Sequence, residues 1–337
     1  MRLFQWQVRA TSTGMNTRIT RSPRTAAAIL RKGGVVAFPT ETVYGLGADA
    51  FNAQAVQAIF HAKERPADNP LIVHIADLSQ LERVALSVSR TALRAMDQFF
   101  PGPLTILFPR HPDVPRLVTA GLDTVGVRFP SHTVAQVFLR ECAVPVAAPS
   151  ANRSGRPSPT TWQAAVEELD GRVDAILKGG ASPIGLESTV LDCTQSPPVI
   201  LREGAISLEQ LRAFWPTMRT APPTEHPGPA RSPGLRYRHY APAARVCVIP
   251  GPAALPPEQA SRAAYIGLDA SGFPTKPKRL RRCRDVTEYA RALFRFFRQC
   301  EKQGITHIYC QRVPQHGLGR ALMDRIERAT TPIMRGN

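Results

Sequence analysis

The sequence predicts a two-domain α/β protein, on three observations. Short β-branched and apolar runs, among them VVAF at 35–38, LIVHI at 71–75 and LTILF at 104–108, alternate with segments of helical periodicity. A Pro-rich stretch without apolar periodicity, 216–232, interrupts that alternation. Beyond residue 243 the alternation resumes, which argues a small parallel, Rossmann-like sheet. A length of 337 residues suits two domains, and 43% hydrophobic content suffices for their cores.

Residues 1–17 have no clear period and read as a leader outside the first domain, which is expected over 18–215. Ser22-Pro23 caps a helix whose apolar face is Ala26, Ile29 and Leu30. VVAF ends at Pro39, and Thr40 to Gly47 reads as a polar loop whose glycines let a ligand approach the backbone. A helix follows over about Ala53–Ala62. Pro66 then biases Arg65 toward extended backbone, so that Lys63 and Arg65 project to one side as an anion site. Helices are expected at 78–84 and 89–99. The alternation of 124–129 puts Thr124 and Arg128 on one strand face, where they can share a ligand.

The strand at 144–149 runs into Ser150, Asn152 and Ser154, then Ser158 and Thr160, ahead of a helix over 161–169. Small donors at a strand's carboxyl end, before free helix amides, suit phosphate or ribose; Thr160 or Ser158 also reads as the N-cap. Ser188 lies near the start of a strand over 184–192. Arg202 lies beyond the strand 199–201, placed to reach a cleft at the strand ends. A helix over 206–214, capped by Ser207, closes the domain. Residues 216–242 form the linker, and 243–337 the second domain, with no GxGxxG. In its long helix, 286–303, Arg291, Arg295 and Arg298 oppose Leu293, Phe297 and Cys300; this reads as a solvated face, or as a face for RNA.

The net charge is +17. It is uneven: from Pro216 onward there are about 21 Lys and Arg against about 8 Asp and Glu. Such a surface favours polyanions through counterion release, which keeps a tRNA- or double-stranded-RNA-binding protein as the alternative reading. Six scattered cysteines, with no CxxC, read as reduced and structural. With no apolar run of membrane length and no secretory signal, a soluble cytoplasmic protein is expected.

The string PTETVYGLGADA at 39–50, then AKERP, NPLIVHI, SANRSG with PSPT, ESTV and LREG, resembles the YrdC-like family of threonylcarbamoyl-AMP synthases. SPGLRYRHYAP at 232–242 matches the linker of the family's long, two-domain form. The resemblance implies an open, twisted α/β domain with a ligand cleft. It implies that L-threonine, bicarbonate and ATP become L-threonylcarbamoyladenylate and pyrophosphate, the threonylcarbamoyl group then passing to tRNA by way of other proteins. By motif position it puts Thr42, His74, Arg128, Ser150 and Ser188 around threonine. It puts Lys63, Arg65, Asn69, Thr124, Asn152, Thr160, Arg202 and Tyr240 around ATP, with Lys63, Arg65 and Mg²⁺ meeting the developing phosphate charge. No protein nucleophile is needed, because a carbamate oxygen attacks the α-phosphate directly. The aromatic and basic linker is expected to act as a lid, with Tyr240 covering the nucleotide.

Overall fold

A computed structural model describes residues 16–222, 231–232 and 240–330. Residues 1–15 of the leader and most of the segment expected to act as a lid lie outside the described residues. Eleven strands form the first sheet: β1 (Arg18–Thr20), β2 (Val36–Phe38), β3 (Gly45–Asp49), β4 (Ile72–His74), β5 (Leu104–Pro109), β6 (Thr124–Arg128), β7 (Val146–Ala148), β8 (Ala175–Leu177), β9 (Thr189–Asp192), β10 (Val199–Arg202) and β11 (Arg219–Thr220). Their order is β1-β8-β2-β3-β7-β4-β6-β5-β9-β10-β11, with parallel and antiparallel pairings mixed.

The second sheet is wholly parallel, in the order β12-β15-β13-β14, from β12 (Arg245–Ile249), β13 (Ala263–Gly267), β14 (Arg279–Arg282) and β15 (His307–Gln311). Helices α1 (Pro23–Arg31), α2 (Ala53–Lys63), α3 (Arg90–Phe99), α4 (Thr133–Cys142), α5 (Trp162–Leu169) and α6 (Leu208–Arg212) belong with the first sheet, and α7 (Val286–Lys302) and α8 (Leu318–Thr330) with the second. Ser22 caps α1, and Ser207 caps α6 in a reciprocal box with Gln210.

Three expectations are corrected. Gly45–Asp49 is a strand, not part of a loop: it pairs antiparallel with β2, and its glycines exist because a Cβ on Gly45 or Gly47 would meet the Phe38 ring at 3.2 and 2.9 Å. The N-cap of α5 is Thr161, whose side chain accepts from Ala164 N, rather than Thr160 or Ser158. Arg298 is neither solvated nor free for RNA, and Arg291, though exposed, is tied to the first domain, while Arg295 stays exposed as a solvated face would have it. Arg298 is buried, with Nη1 2.7 Å from Glu168 Oε1 and a second bond to the Pro157 carbonyl, while Arg291 Nε donates to Pro183 O at 2.7 Å.

The domains share apolar packing as well as ion pairs. Val43 and Leu186 of the first domain belong to the cluster built on Leu293, Phe297 and Leu322 of the second. Gly185, at φ 86°, makes this approach feasible, since a Cβ there would lie 2.5 Å from the α7 backbone at Arg291. Arg156 adds a two-pronged bond to Glu301 of α7, at 3.1 and 3.0 Å.

Candidate functional site

One cleft opens where the β2–β3 connection meets the carboxyl ends of β4, β6 and β10. It is lined by Thr40, Thr42, Arg65, His74, Arg128, Ser150, Glu187, Ser188, Arg202 and Tyr240, with the backbone of 43–45. These side chains come from elements scattered over about two hundred positions of chain; most are delivered by strand ends or the turns beside them, Arg65 by the turn after α2 and Tyr240 by the linker.

The polar floor is tightly tied. Arg128 Nη1 donates to Thr42 Oγ1 at 2.8 Å, its Nε to Gly102 O at 3.3 Å, and its Nη2 lies 2.7 Å from Glu41 Oε1. Thr40 and Thr42 hydroxyls stand 2.9 Å apart. Ser188 Oγ bonds the Thr105 hydroxyl at 2.8 Å and accepts from Arg202 Nη2 at 3.1 Å. Arg202 also holds the Ser188 carbonyl through Nε and Nη2, at 3.2 and 2.9 Å. His74 Nδ1 lies 3.2 Å from Ile72 O, and the ring meets Phe38 edge-on at 5.7 Å.

Burial, helped by the positive charge of Arg128, pushes the His74 imidazole down to about 3. It is therefore neutral at physiological pH and serves as a hydrogen-bonding group, not a cation. Burial raises the Glu41 carboxyl, but the charge and hydrogen bond of Arg128 outweigh it and hold the group below its ordinary value. Burial first, and Arg65 second, push the Lys63 ammonium well below its ordinary value, with Glu168 opposing.

The predicted residues divide into two sets. Thr42, Arg65, His74, Arg128, Ser150, Ser188, Arg202 and Tyr240 line the cleft together. Lys63, Asn69, Thr124, Asn152 and Thr160 do not line it. Lys63, the last residue of α2, is fully buried with its ammonium on the carbonyls of Ser150 and Asn152, so it supports the cleft wall from behind. Asn152 Nδ2 closes its own loop onto the carbonyls of Arg153 and Arg156, at 2.7 and 2.9 Å. Asn69 presents its carbonyl to Arg65 Nε at 3.3 Å. Thr160 accepts from Ser182 N through its carbonyl at 2.8 Å. Thr124 lines a separate small pocket, beside Ile72 and Gly126.

Glu41 and Glu187 were not singled out from the sequence. Both sit next to residues that were, in TETV and ESTV, and the signal was the acid beside each hydroxyl. The open space left in the cleft is only about 60 Å³, room for about two waters. Tyr240 and Arg202, both buried, are among the residues that line it. The arrangement is a cationic, hydroxyl-rich pocket with two carboxylates, suited to a small zwitterion beside a polyphosphate.

Comparison with known proteins points the same way. A family model described as "Telomere recombination" matches residues 28–204, and one described as "Threonylcarbamoyl-AMP synthase, C-terminal domain" matches 206–331. The threonylcarbamoyl-AMP synthase of Pyrococcus abyssi is 42% identical over 317 residues, 91% of this chain and 93% of that protein. That of Bacillus subtilis is 42% identical, over 90% of this chain and 91% of that protein. The crystal structure of P. abyssi Sua5 complexed with L-threonine superposes with a TM-score of 0.86 at 40% identity, covering 94% of this chain and 98% of that one.

Proposed function

The chain belongs to the threonylcarbamoyl-AMP synthases, which make L-threonylcarbamoyladenylate and pyrophosphate from L-threonine, bicarbonate and ATP, and we propose that the cleft described above is where the three substrates meet. The observation that carries the assignment is the convergence of eight motif residues on one pocket. The solved relative bound to L-threonine supports it.

In this reading Thr42, His74, Arg128, Ser150 and Ser188 surround threonine. Arg128, already neutralised in part by Glu41, takes the amino-acid carboxylate. Neutral His74 and the hydroxyls take the amine and side-chain hydroxyl without repelling the ammonium. The threonine amine adds carbon dioxide or bicarbonate, and the carbamate oxygen attacks the α-phosphorus as pyrophosphate leaves. Arg65 and Arg202 face the growing phosphate charge. Lys63, Asn69, Thr124, Asn152 and Thr160 complete the ATP side, Lys63 by fixing the Ser150–Asn152 loop. Buried oxygens of Asn69 and Asn152 that have no hydrogen-bond partner among the described residues fit a role toward the nucleotide.

Mg²⁺ enters as part of the MgATP substrate. Among the described residues no three His, Cys, Asp or Glu side chains converge as a metal site; a Mg²⁺ held by phosphates and water needs few protein ligands. A cavity of about 60 Å³ cannot take ATP, which needs several hundred (about 300 or more). In this reading the linker acts as a lid, with Tyr240, which lines the cleft, covering the nucleotide. The product's use on tRNA favours a cytoplasmic protein that hands over to tRNA or to a transfer complex. The exposed Lys276, Lys278, Arg281, Arg282 and Arg284 beside and along the edge strand β14 are the surface such a partner would approach. The deciding assay is pyrophosphate release from ATP and Mg²⁺, with and without threonine and bicarbonate. Release that ignores threonine would remove the assignment.

A further inference from the structure

The cleft of the first domain is braced from behind by an arginine of the second. Arg325, on α8, is wholly buried. Its Nε donates to Glu187 Oε2 at 2.8 Å and its Nη2 to the Glu203 carbonyl at 2.7 Å, while Nη1 pairs with Asp324. The other oxygen of Glu187 accepts from the Ser158 hydroxyl at 2.6 Å. The same guanidinium lies over the Tyr240 ring, 5.2 Å from its centroid, and Phe294 of α7 stacks on that ring at 5.4 Å. Tyr240 is held at φ 67°, a conformation that non-glycine residues adopt only when their surroundings impose it.

Glu187 and Tyr240 line the cleft; Arg325 does not. Whatever Arg325 does for the reaction passes through those two side chains. Docking two domains does not require it, because a well-packed apolar side chain would serve as well as a buried charge that must be desolvated. A planar fork of donors is required where one group must fix a carboxylate, a carbonyl and an aromatic face at once, which lysine cannot do.

We propose that Arg325 is the positioning residue through which the second domain sets the cleft, fixing the Glu187 carboxylate and the Tyr240 ring as one unit. The proposal rests on the reading of that cleft as the synthase site, and it gives the second domain a part in the chemistry without contact with substrate. It places Glu187 and Ser188, neighbours in sequence, under control of a side chain 138 positions away.

The test uses the full chain and two readouts. In the first, tyrosines are nitrated with tetranitromethane and located by peptide mass analysis. Tyr240 should be protected in the parent, as buried Tyr289 is, and in Arg325→Gln it should react at least tenfold faster while Tyr289 stays protected. In the second, threonine-dependent pyrophosphate release should fall about tenfold or more in Arg325→Gln and in Glu187→Gln. The double variant should be no slower than the slower single, because the two residues act as one unit. If Arg325→Gln does not fold, Arg325→Lys keeps the charge in the same space, and its Tyr240 should still nitrate several-fold (about threefold or more) faster. Unchanged Tyr240 protection, unchanged turnover, or losses that multiply in the double variant would each overturn the proposal. A parent chain without threonine-dependent turnover would overturn the synthase reading instead, and nitration of Tyr240 would still decide whether Arg325 positions it.

Discussion

Arg128 Nη2 lies 2.7 Å from Glu41 Oε1, with the two side chains 5% and 6% exposed. The pair forms the floor under the proposed threonine position, and removing one partner strands the other. Glu41→Ala should destabilise the protein by about 3–5 kcal/mol, the range for breaking a buried pair. It should also weaken threonine binding, because Arg128 loses the contact that aims it at Thr42. Thermal unfolding and titration with threonine check the two effects separately.

The same pair sets an acid limit. Arg128 holds the Glu41 carboxyl below its ordinary value against the upward push of burial. A depressed folded pKa contributes stability that is complete above the unfolded value of about 4.3 and is lost as pH falls through the lower, folded value. Glu168 behaves likewise: burial pushes it up, but Arg298, bonded to it across the domain boundary, wins. Melting temperature should therefore fall steeply below about pH 4.3, and Glu41→Gln should flatten that fall. A curve identical to the parent's would show that Glu41 is not among the titrating groups.

Arg65 offers the cleft its guanidinium from the turn after α2 while bonding the Asn69 and Pro70 carbonyls. Arg65→Ala should lower pyrophosphate release by about a hundredfold or more, with the melting temperature little changed. Turnover within a few-fold (about threefold) of the parent would remove Arg65 from the phosphate site.

The lid has a direct assay. Trypsin sites at Arg236 and Arg238 should be cut readily in the free protein and protected when ATP and threonine are present together. If the proposed lid holds, Tyr240→Ala should weaken ATP binding and increase loss of the adenylate to water, because the cleft loses the lining ring that covers the nucleotide. Equal cleavage with and without ligands, alongside normal turnover in Tyr240→Ala, would leave the linker as a tether.

A last prediction concerns the start of the first domain. Thr17 Oγ donates to Val173 O at 2.8 Å and accepts from Gly171 N, and β1 pairs with β8 from Arg18 onward. A chain beginning at Met15 should keep stability and activity. One beginning after Thr20 should lose an edge strand and melt earlier, which a pair of melting curves decides.

The frame around the cleft was legible because its strands are β-branched runs and its helices carry their caps in the sequence, as at Ser22 and Ser207. β3 was not, because two glycines signal a turn until the register shows the Phe38 ring lying over them. β1 and β14 escaped as short, polar edge strands without an alternating apolar face. For α7, periodicity identified the arginine side but not what it faces. Only the fold brings Glu168 to Arg298 and Glu187 to Arg325, so the Arg298 end of an ionic seam between domains read as a solvated face and Arg325 was not singled out.

That seam also has an order in time. Glu168 and Glu187 leave the ribosome 130 and 138 residues before the arginines that neutralise them. At about 5–20 residues per second, the nascent first domain waits on the order of ten seconds with Glu168 paired only to Arg153 and Arg156 of its own domain and Glu187 held only by the Ser158 hydroxyl. During that interval Tyr240 has no Arg325 to lie under and no Phe294 to stack on. On the proposed role of Arg325, a half-made chain therefore carries an unbraced pocket until α8 has been translated and docked.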